Sequence, residues 1–293
     1  VSGVCTHYGI SRKTFYKWYG RYQESDRDFH ALKDRSRRPH THPRSVSKPV
    51  VERIVALRHK TGYGPRRLGY YLGQEGIHLS VYGVYRVLQR EGLVQKRRSR
   101  PRKKPQSYAM AIPGRRVQVD VQYLPKMPLR DRPEPLQQYL YAAIDDCTRL
   151  QVLWVSSELT PQASTLFLRR VQRTFPFPLQ EVQTDHGTEF TYIFMPHVQK
   201  PHPFEEALRA RGIRHKLIPV ATPKHNGKVE RVHRTLDEEC LNRRAFRKPT
   251  PRQHAINRWL RFYNHHRPHS SLEWRTPLQR LQSFPDYHGV THV

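Results

Sequence analysis

The stretch Val117-Gln118-Val119-Asp120-Val121-Gln122-Tyr123 alternates apolar and polar residues without a break. This period of two predicts a strand with its valines on one face and its polar side chains on the other. Two further apolar runs, at 139–144 and 150–155, are joined by a short acidic turn at 145–149. We therefore expect three successive strands at the start of a sheet.

Helices and strands alternate after these three strands. Thr160-Pro161 is typical of a helix N-cap followed by a first-turn proline, and it opens a predicted helix to about residue 175. A strand at 181–184, a helix at 204–211, a strand at 213–218 and a long helix from Asn226 follow. This order predicts an α/β fold, a mixed sheet with helices on both faces.

The N-terminal third is helical only. Residues 4–18 have the pattern of a helix end, a turn at Gly9 and a second helix capped by Ser11, which is the spacing of a helix-turn-helix. Its exposed first turn would place Arg12, Lys13 and Thr14 in a major groove. A second such unit has predicted helices at 50–60, at 66–72 and from Ser80 to about 90, with a wing-like extended piece at 91–94. An ordinary helical bundle is the alternative for both units.

The charge points to a polyanionic partner. Lys and Arg number 53 against 24 Asp and Glu, a formal net charge of +29, so nucleic acid is the expected partner. Seven of the nine residues at 96–104 are Lys or Arg, a linker that would track a phosphate backbone. No apolar run approaches the ~20 residues of a membrane span, and three scattered cysteines exclude a disulfide framework. We therefore expect a soluble intracellular protein.

Three acidic residues are the candidates for chemistry. Asp120 and Asp185 lie in or just after predicted strands, among apolar or small residues, and Glu230 lies on the helix that begins near Asn226. Converging carboxylates without Cys or His ligands at zinc spacing favour a hard divalent cation, Mg²⁺ or Mn²⁺. Two such ions ~3.5–4 Å apart would serve in-line phosphoryl transfer.

The segments around these acids carry a family resemblance. Residues 117–120, Gln183-Thr184-Asp185-His186-Gly187-Thr188-Glu189-Phe190 and 225–231 resemble, in order, the catalytic motifs of the retroviral-integrase-like DDE transposases of bacterial insertion sequences. The stretch at 262–269 and Thr276-Pro277 resemble the end of that family's core, and the helical units resemble its DNA-binding arm.

The resemblance implies an RNase H-like core with a five-stranded sheet, in which Asp120, Asp185 and Glu230 bind two Mg²⁺ ions. It implies cleavage of DNA 3′ ends by water and strand transfer by the freed 3′-OH. The implied partners are double-stranded DNA, as terminal inverted repeats and target, and further copies of the chain, in a bacterial cytoplasm at the nucleoid. The DNA-binding residues expected on all these grounds are Arg12, Lys13, Thr14, Lys17, Arg97, Arg98, Lys103, Lys104, Asn226, Lys228, Arg231 and Arg234.

The expected domains are a first helix-turn-helix with hinge at 1–45, a second, winged-type unit at 46–95, a basic linker at 96–114, the core at 115–282 and a tail at 283–293. We also expect the first unit to lack a preceding helix and to be the least stable part of the chain.

Some residues depart from the family pattern. The spacing between Asp185 and Glu230 is long, and 192–203 has the composition of an insertion. His186 stands where the family commonly has Asn, and Asp237 where it often has Lys or Arg. Glu189 is interpreted as a neighbour of the site, and Asp145 and Asp146 as turn residues.

Two other functions fit parts of the sequence. A DNA-binding repressor with an inactive core would not need all three carboxylates. An RNase H-like nuclease for structured DNA or RNA–DNA hybrids would not need two helix-turn-helix units. A transposase accounts for both features.

Overall fold

A computed structural model of the protein describes residues 1–34, 45–94, 109–128, 133–219 and 226–293. The chain divides into two compact units, Val1–Lys48 and Pro49–Val293. The predicted contacts of Arg97, Arg98, Lys103 and Lys104 with DNA lie outside the described residues. The finer division into five domains stays a prediction.

The first unit contains helices α1 (Ser2–His7) and α2 (Arg12–Glu24), followed by a 3₁₀ turn at Phe29–Leu32. Gly9 makes the turn between the two helices at a φ of +61°, in the left-handed region that glycine adopts without strain. The Ser11 hydroxyl caps α2 by accepting a hydrogen bond from the Thr14 amide at 3.1 Å. The helix, turn and capped helix predicted from residues 4–18 are confirmed.

Three helices open the second unit: α3 (Lys48–Thr61), α4 (Pro65–Gln74) and α5 (Val81–Arg90). They enclose a small core that includes Ile54, Leu68 and Val84, and Ser80 caps α5 as predicted. Residues 91–94 form a turn and then two residues without regular secondary structure, and the winged type of this unit stays a prediction. Gly92, at a φ of +69°, ends α5 in the conformation of a helix C-terminus and does not open a strand.

A five-stranded sheet follows, with β1 at Val117–Tyr123, β2 at Tyr139–Asp145, β3 at Gln151–Ser156, β4 at Glu181–Thr184 and β5 at Arg214–Leu217. The strand order is β3-β2-β1-β4-β5. The β1–β2 and β2–β3 pairs are antiparallel, whereas β1–β4 and β4–β5 are parallel. The predicted mixed sheet is confirmed, with β1 at its centre.

Helices cover both faces of this sheet, as predicted. On one face α6 (Pro161–Thr174), α7 (Pro203–Arg209) and α10 (Pro277–Gln282) pack on the β1 valines and on Tyr141. On the other face α8 (Gly227–Glu239) and α9 (Pro249–His265) pack on Leu140 and Ile144. Of the helices in the described ranges, none combines the length and apolarity of a membrane-spanning segment.

The three N-terminal helices of the second unit contact the core directly. Glu239, at the end of α8, accepts from Arg267 at 2.7 Å and from Arg67 of α4 at 3.3 Å. The Arg243 guanidinium donates to the carbonyl of Thr61 at 2.6 Å. These contacts join α3–α5 and the sheet into one body.

Asn264 of α9 connects its helix to an edge strand. Its side chain is fully buried, accepts from the Gln151 amide and donates to the Gln151 carbonyl, both at 3.0 Å. Because these are backbone groups of β3, the residue fixes α9 against the sheet. The resemblance had indicated only that the stretch at 262–269 ends the core.

We expect Asn264→Ala to lower the free energy of unfolding by about 2–4 kcal/mol, because two buried backbone groups lose their partner. Urea unfolding followed by circular dichroism measures the change. Asn257→Ala, on an exposed position of the same helix, is the control and should change stability by less than about 0.5 kcal/mol. Equal effects of the two substitutions would contradict this role of Asn264.

We also expect the first unit to exchange its amide hydrogens faster than α3–α5. Among described residues 1–34 only Cys5 is buried, and the apolar side chains of α2 and the 3₁₀ turn line an open groove. Helices with so little buried surface open easily. Hydrogen–deuterium exchange on the full chain tests this, and equal protection of 2–24 and 50–90 would contradict it.

Candidate active site

Asp120 lies on β1, and Asp185 directly follows the neighbouring strand β4. Parallel pairing aligns Val117 with Val182 and Gln118 with Gln183, and continuing this register by two residues would bring Asp120 level with Asp185. Residues aligned in this way point to the same face of a sheet, on strands roughly 4.8 Å apart. Both aspartates are only partly exposed. The structure therefore brings together two of the three predicted carboxylates.

The field at this edge of the sheet is negative. Burial raises the pKa of Asp185, and the charge of Asp120 raises this pKa further. The Gly187 amide partly opposes both effects, because it donates a hydrogen bond of 3.0 Å to the Asp185 carboxylate. Burial also raises the pKa of Glu189, as do the charges of Asp185 and Asp120. Glu189 is thus an electrostatic neighbour of both aspartates, as the sequence suggested.

Helix α8 runs along β1 and contacts it at three levels. The Val229 amide donates to the Gln118 side chain at 3.4 Å, and the Gln122 amide group donates to Asp237 at 2.9 Å. Between these two contacts, His233 Nε2 lies 3.2 Å from Asp120 Oδ2. Asp120 is therefore enclosed by its own strand, by β4 and by α8.

Glu230 does not join the two aspartates in this structure. It is exposed on α8, one turn before His233, on the same side of the helix as His233 and Asp237. Within the described ranges, no three His, Cys, Asp or Glu side chains are arranged to hold a metal ion. The assignment of Glu230 as the third ligand stays a prediction.

The expected DNA-binding residues of α8 differ in their surroundings. Arg231 and Arg234 are exposed, as a contact with DNA requires, whereas Asn226 is buried. Lys228 Nζ pairs with Asp146 Oδ1 at 2.9 Å, and burial and the charge of Arg149 lower the pKa of Lys228 to about 8. Lys228 is thus held in an ion pair within the fold.

The expected DNA-binding residues of the first unit lie on α2. Arg12, Lys13 and Lys17 are exposed, whereas the Thr14 hydroxyl lies 2.9 Å from that of Ser11. The basic side chains are therefore accessible to a ligand, and Thr14 takes part in the helix cap.

The sequence missed how deeply the turn after β2 is buried. Asp145 and Asp146 form the predicted turn but are fully buried, and burial raises the pKa of each. Asp145 accepts from the backbone amides of Gly114 and Thr148, and Asp146 accepts from Gln118 of β1. The only signal in the sequence was that two acids follow an entirely apolar strand.

Known proteins match the chain over most of its length. A family model described as an integrase core domain matches residues 211–277, and one described as a homeodomain-like domain matches residues 14–88. A 31.7 kDa protein of insertion element IS407 of Burkholderia multivorans is 27% identical over 241 residues, which are 81% of this chain and 82% of that protein. The chain is thus similar to integrase cores and to proteins of bacterial insertion elements. These similarities support a DDE transposase, which is a polynucleotidyl transferase.

Other similarities are more local. A 39.2 kDa protein of insertion element IS476 of Xanthomonas euvesicatoria is 34% identical over 98 residues, 33% of this chain and 26% of that protein. The catalytic core domain of HTLV-2 integrase, solved in complex with magnesium, has a TM-score of 0.42 and 19% identity, covering 58% of this chain and 97% of that one. The integrase core match includes Glu230 but neither Asp120 nor Asp185.

We expect Asp185→Asn to stabilise the protein at pH 7 in buffer with a chelator. When folding raises the pKa of a carboxyl group, ionisation of that group lowers the stability of the folded state, and the loss grows as pH rises from the pKa of the unfolded chain towards that of the folded protein. Asp185→Asn removes this destabilisation, so the gain in the free energy of unfolding should be present at pH 7 and vanish below about pH 3.5. Urea midpoints at several pH values measure it, with the exposed Asp286→Asn as control. A lower midpoint for Asp185→Asn at pH 7 would contradict this electrostatic interpretation.

Proposed function

We propose that this transposase cleaves the 3′ ends of its own element and joins them to target DNA, using Asp120, Asp185 and Glu230 as its catalytic carboxylates. The observation that supports this most is the proximity of Asp120 on β1 to Asp185 at the end of the adjacent strand β4, where the charge of Asp120 raises the pKa of Asp185. Two carboxylates held this close repel each other and are suited to share a cation.

The donors at this edge fit Mg²⁺ or Mn²⁺. They are carboxylate oxygens, which hard divalent cations prefer. Burial and, to a lesser extent, the charge of Asp120 raise the pKa of Asp185, and a bound cation would offset that repulsion. Two bound ions would activate the attacking oxygen and stabilise the leaving oxygen of an in-line phosphoryl displacement.

The protein itself positions the carboxylates. The Gly187 amide orients Asp185, and His233 limits the positions open to Asp120. We assign the third carboxylate to Glu230 because it shares the side of α8 on which His233 and Asp237 meet β1. Its exposure leaves it accessible to a DNA strand laid along this edge.

We assign recognition of the element's terminal inverted repeats to the first unit. Arg12, Lys13 and Lys17 lie at or near the start of α2, exposed as a major-groove contact requires. Arg234 would contact DNA phosphates beside the carboxylates, Arg231 would contact DNA from another side of α8, and the basic linker would follow the backbone. An element has two ends, so we propose that at least two copies of the chain act together on DNA.

The test compares Asp120→Asn, Asp185→Asn and Glu230→Gln in cleavage and strand transfer of labelled element-end DNA with Mg²⁺. Each variant should lose activity by at least about 100-fold, because each loses a metal-binding charge at nearly constant volume. Glu206→Gln, exposed on α7, is the matched control and should keep wild-type activity. Near-normal rates for any of the three variants would remove that residue from the proposed set.

Glu189→Gln decides which glutamate is the third ligand. We expect this variant to keep binding of Mn²⁺, measured by calorimetry, whereas Glu230→Gln should weaken it. The opposite result, with Glu189→Gln losing Mn²⁺ and activity while Glu230→Gln keeps both, would assign the third ligand to Glu189.

A further inference from the structure

A basic cavity lies on the side of α8 away from the carboxylates. The wall that α8 contributes to this cavity contains Lys228, Arg231 and Thr235, which share one side of the helix. The opposite side of α8 carries Glu230, His233 and Asp237. The cavity has a volume of ≈ 280 Å³. Helix α8 therefore separates two sites of opposite charge.

Five cationic side chains converge on this cavity from four parts of the chain. They come from α4, the turn between β2 and β3, α8 and the segment after α9. In chain order they are Arg67, Arg149, Lys228, Arg231 and Arg267. Ser270 and Ser271 add hydroxyl groups to the same wall.

Acidic partners balance these cations only in part. Asp146 pairs with Lys228, and Glu239 is shared by Arg67 and Arg267. Arg149 Nη1 and Arg67 Nε are shielded from solvent, and neither has a hydrogen-bond partner among the described residues. Buried donors of this kind are costly unless a ligand satisfies them.

Burial and positive charge act together on titrating groups around the cavity. His269 lies on its wall, and burial together with the charges of Arg267, Arg67 and Arg149 lowers its pKa to about 2. Burial and the charge of Arg267 also lower the pKa of Arg67. Since the imidazole of His269 stays neutral at physiological pH, it adds no charge and can accept or donate one hydrogen bond.

We propose that this cavity is a phosphate-binding site. The unpaired guanidinium donors of Arg149 and Arg67, the serine hydroxyls and the net positive charge suit a tetrahedral oxyanion, which guanidinium groups bind through two parallel hydrogen bonds. The ligand is a phosphate group, either of a DNA strand or free in solution.

A wider cleft beside the cavity favours the DNA strand. This cleft, of ≈ 670 Å³, shares Arg67, Arg231 and Arg267 with the cavity and is also lined by Tyr85 and Trp274. A positively charged groove with aromatic side chains is the usual platform for single-stranded nucleic acid. The site is independent of the carboxylate assignment, because none of the three proposed ligands lines it.

The experiment uses the full chain with a chelator present and titrates inorganic phosphate by calorimetry. Arg149→Gly should weaken phosphate binding at least tenfold, and glycine suits this position because Arg149 has a φ of +65°. Arg231→Gln should weaken it as well and serves if the first variant does not fold. Arg169→Gln, exposed on α6, is the control and should bind like wild type. Wild-type affinity in both cavity variants, or no phosphate binding by the wild-type chain, would overturn the proposal.

A second arm identifies the source of the phosphate. Binding of a short single-stranded oligonucleotide is measured against salt, where each phosphate contact contributes roughly 0.7 to the logarithmic slope. If a DNA strand is the ligand, Arg149→Gly lowers this slope by about one contact, and inorganic phosphate competes with the oligonucleotide. An unchanged slope, with phosphate binding lost, would support the site and make free phosphate its ligand.

Discussion

The parallel pairing of β1 with β4 is the constraint on which the site depends. Sheet hydrogen bonds and the buried valines of β1 hold Asp120 near Asp185, the residue that follows β4, although their charges oppose each other. The repulsion is tolerated because the core on both faces of the sheet outweighs it. Carboxylates held together in this way cost the fold some stability, which function can require of a site.

Helix α8 is the second fixed element. It meets β1 at Gln118, Asp120 and Gln122 in turn, and the buried pair of Lys228 and Asp146 fixes its beginning. Breaking such a pair costs more than a surface pair because the remaining charge stays buried. The position of α8 relative to the strands is therefore set near its N-terminus, close to where the third carboxylate is expected.

Several strands and helices of this fold could be predicted from the sequence, because local patterns specify them. Strict alternation in β1 and the Ser11, Ser80 and Thr160 caps are local signals, and the structure confirms the elements they predicted. The pairing of Lys228 with Asp146 was not accessible, since the two residues are far apart in the chain. The conformation of residues 91–94 was not accessible for a different reason: a short apolar stretch after a helix is compatible with either a strand or an irregular turn.

The contact of Arg67 and Arg267 with Glu239 also bears on how such proteins exchange parts during evolution. A helical arm connected only by a linker could be replaced without further change. Here the arm at α3–α5 carries one member of a shared ion cluster, so a foreign arm without a basic residue at position 67 would leave Arg267 as the remaining ion-pair partner of Glu239. Positions 67 and 239 are therefore expected to change together when such an arm is exchanged.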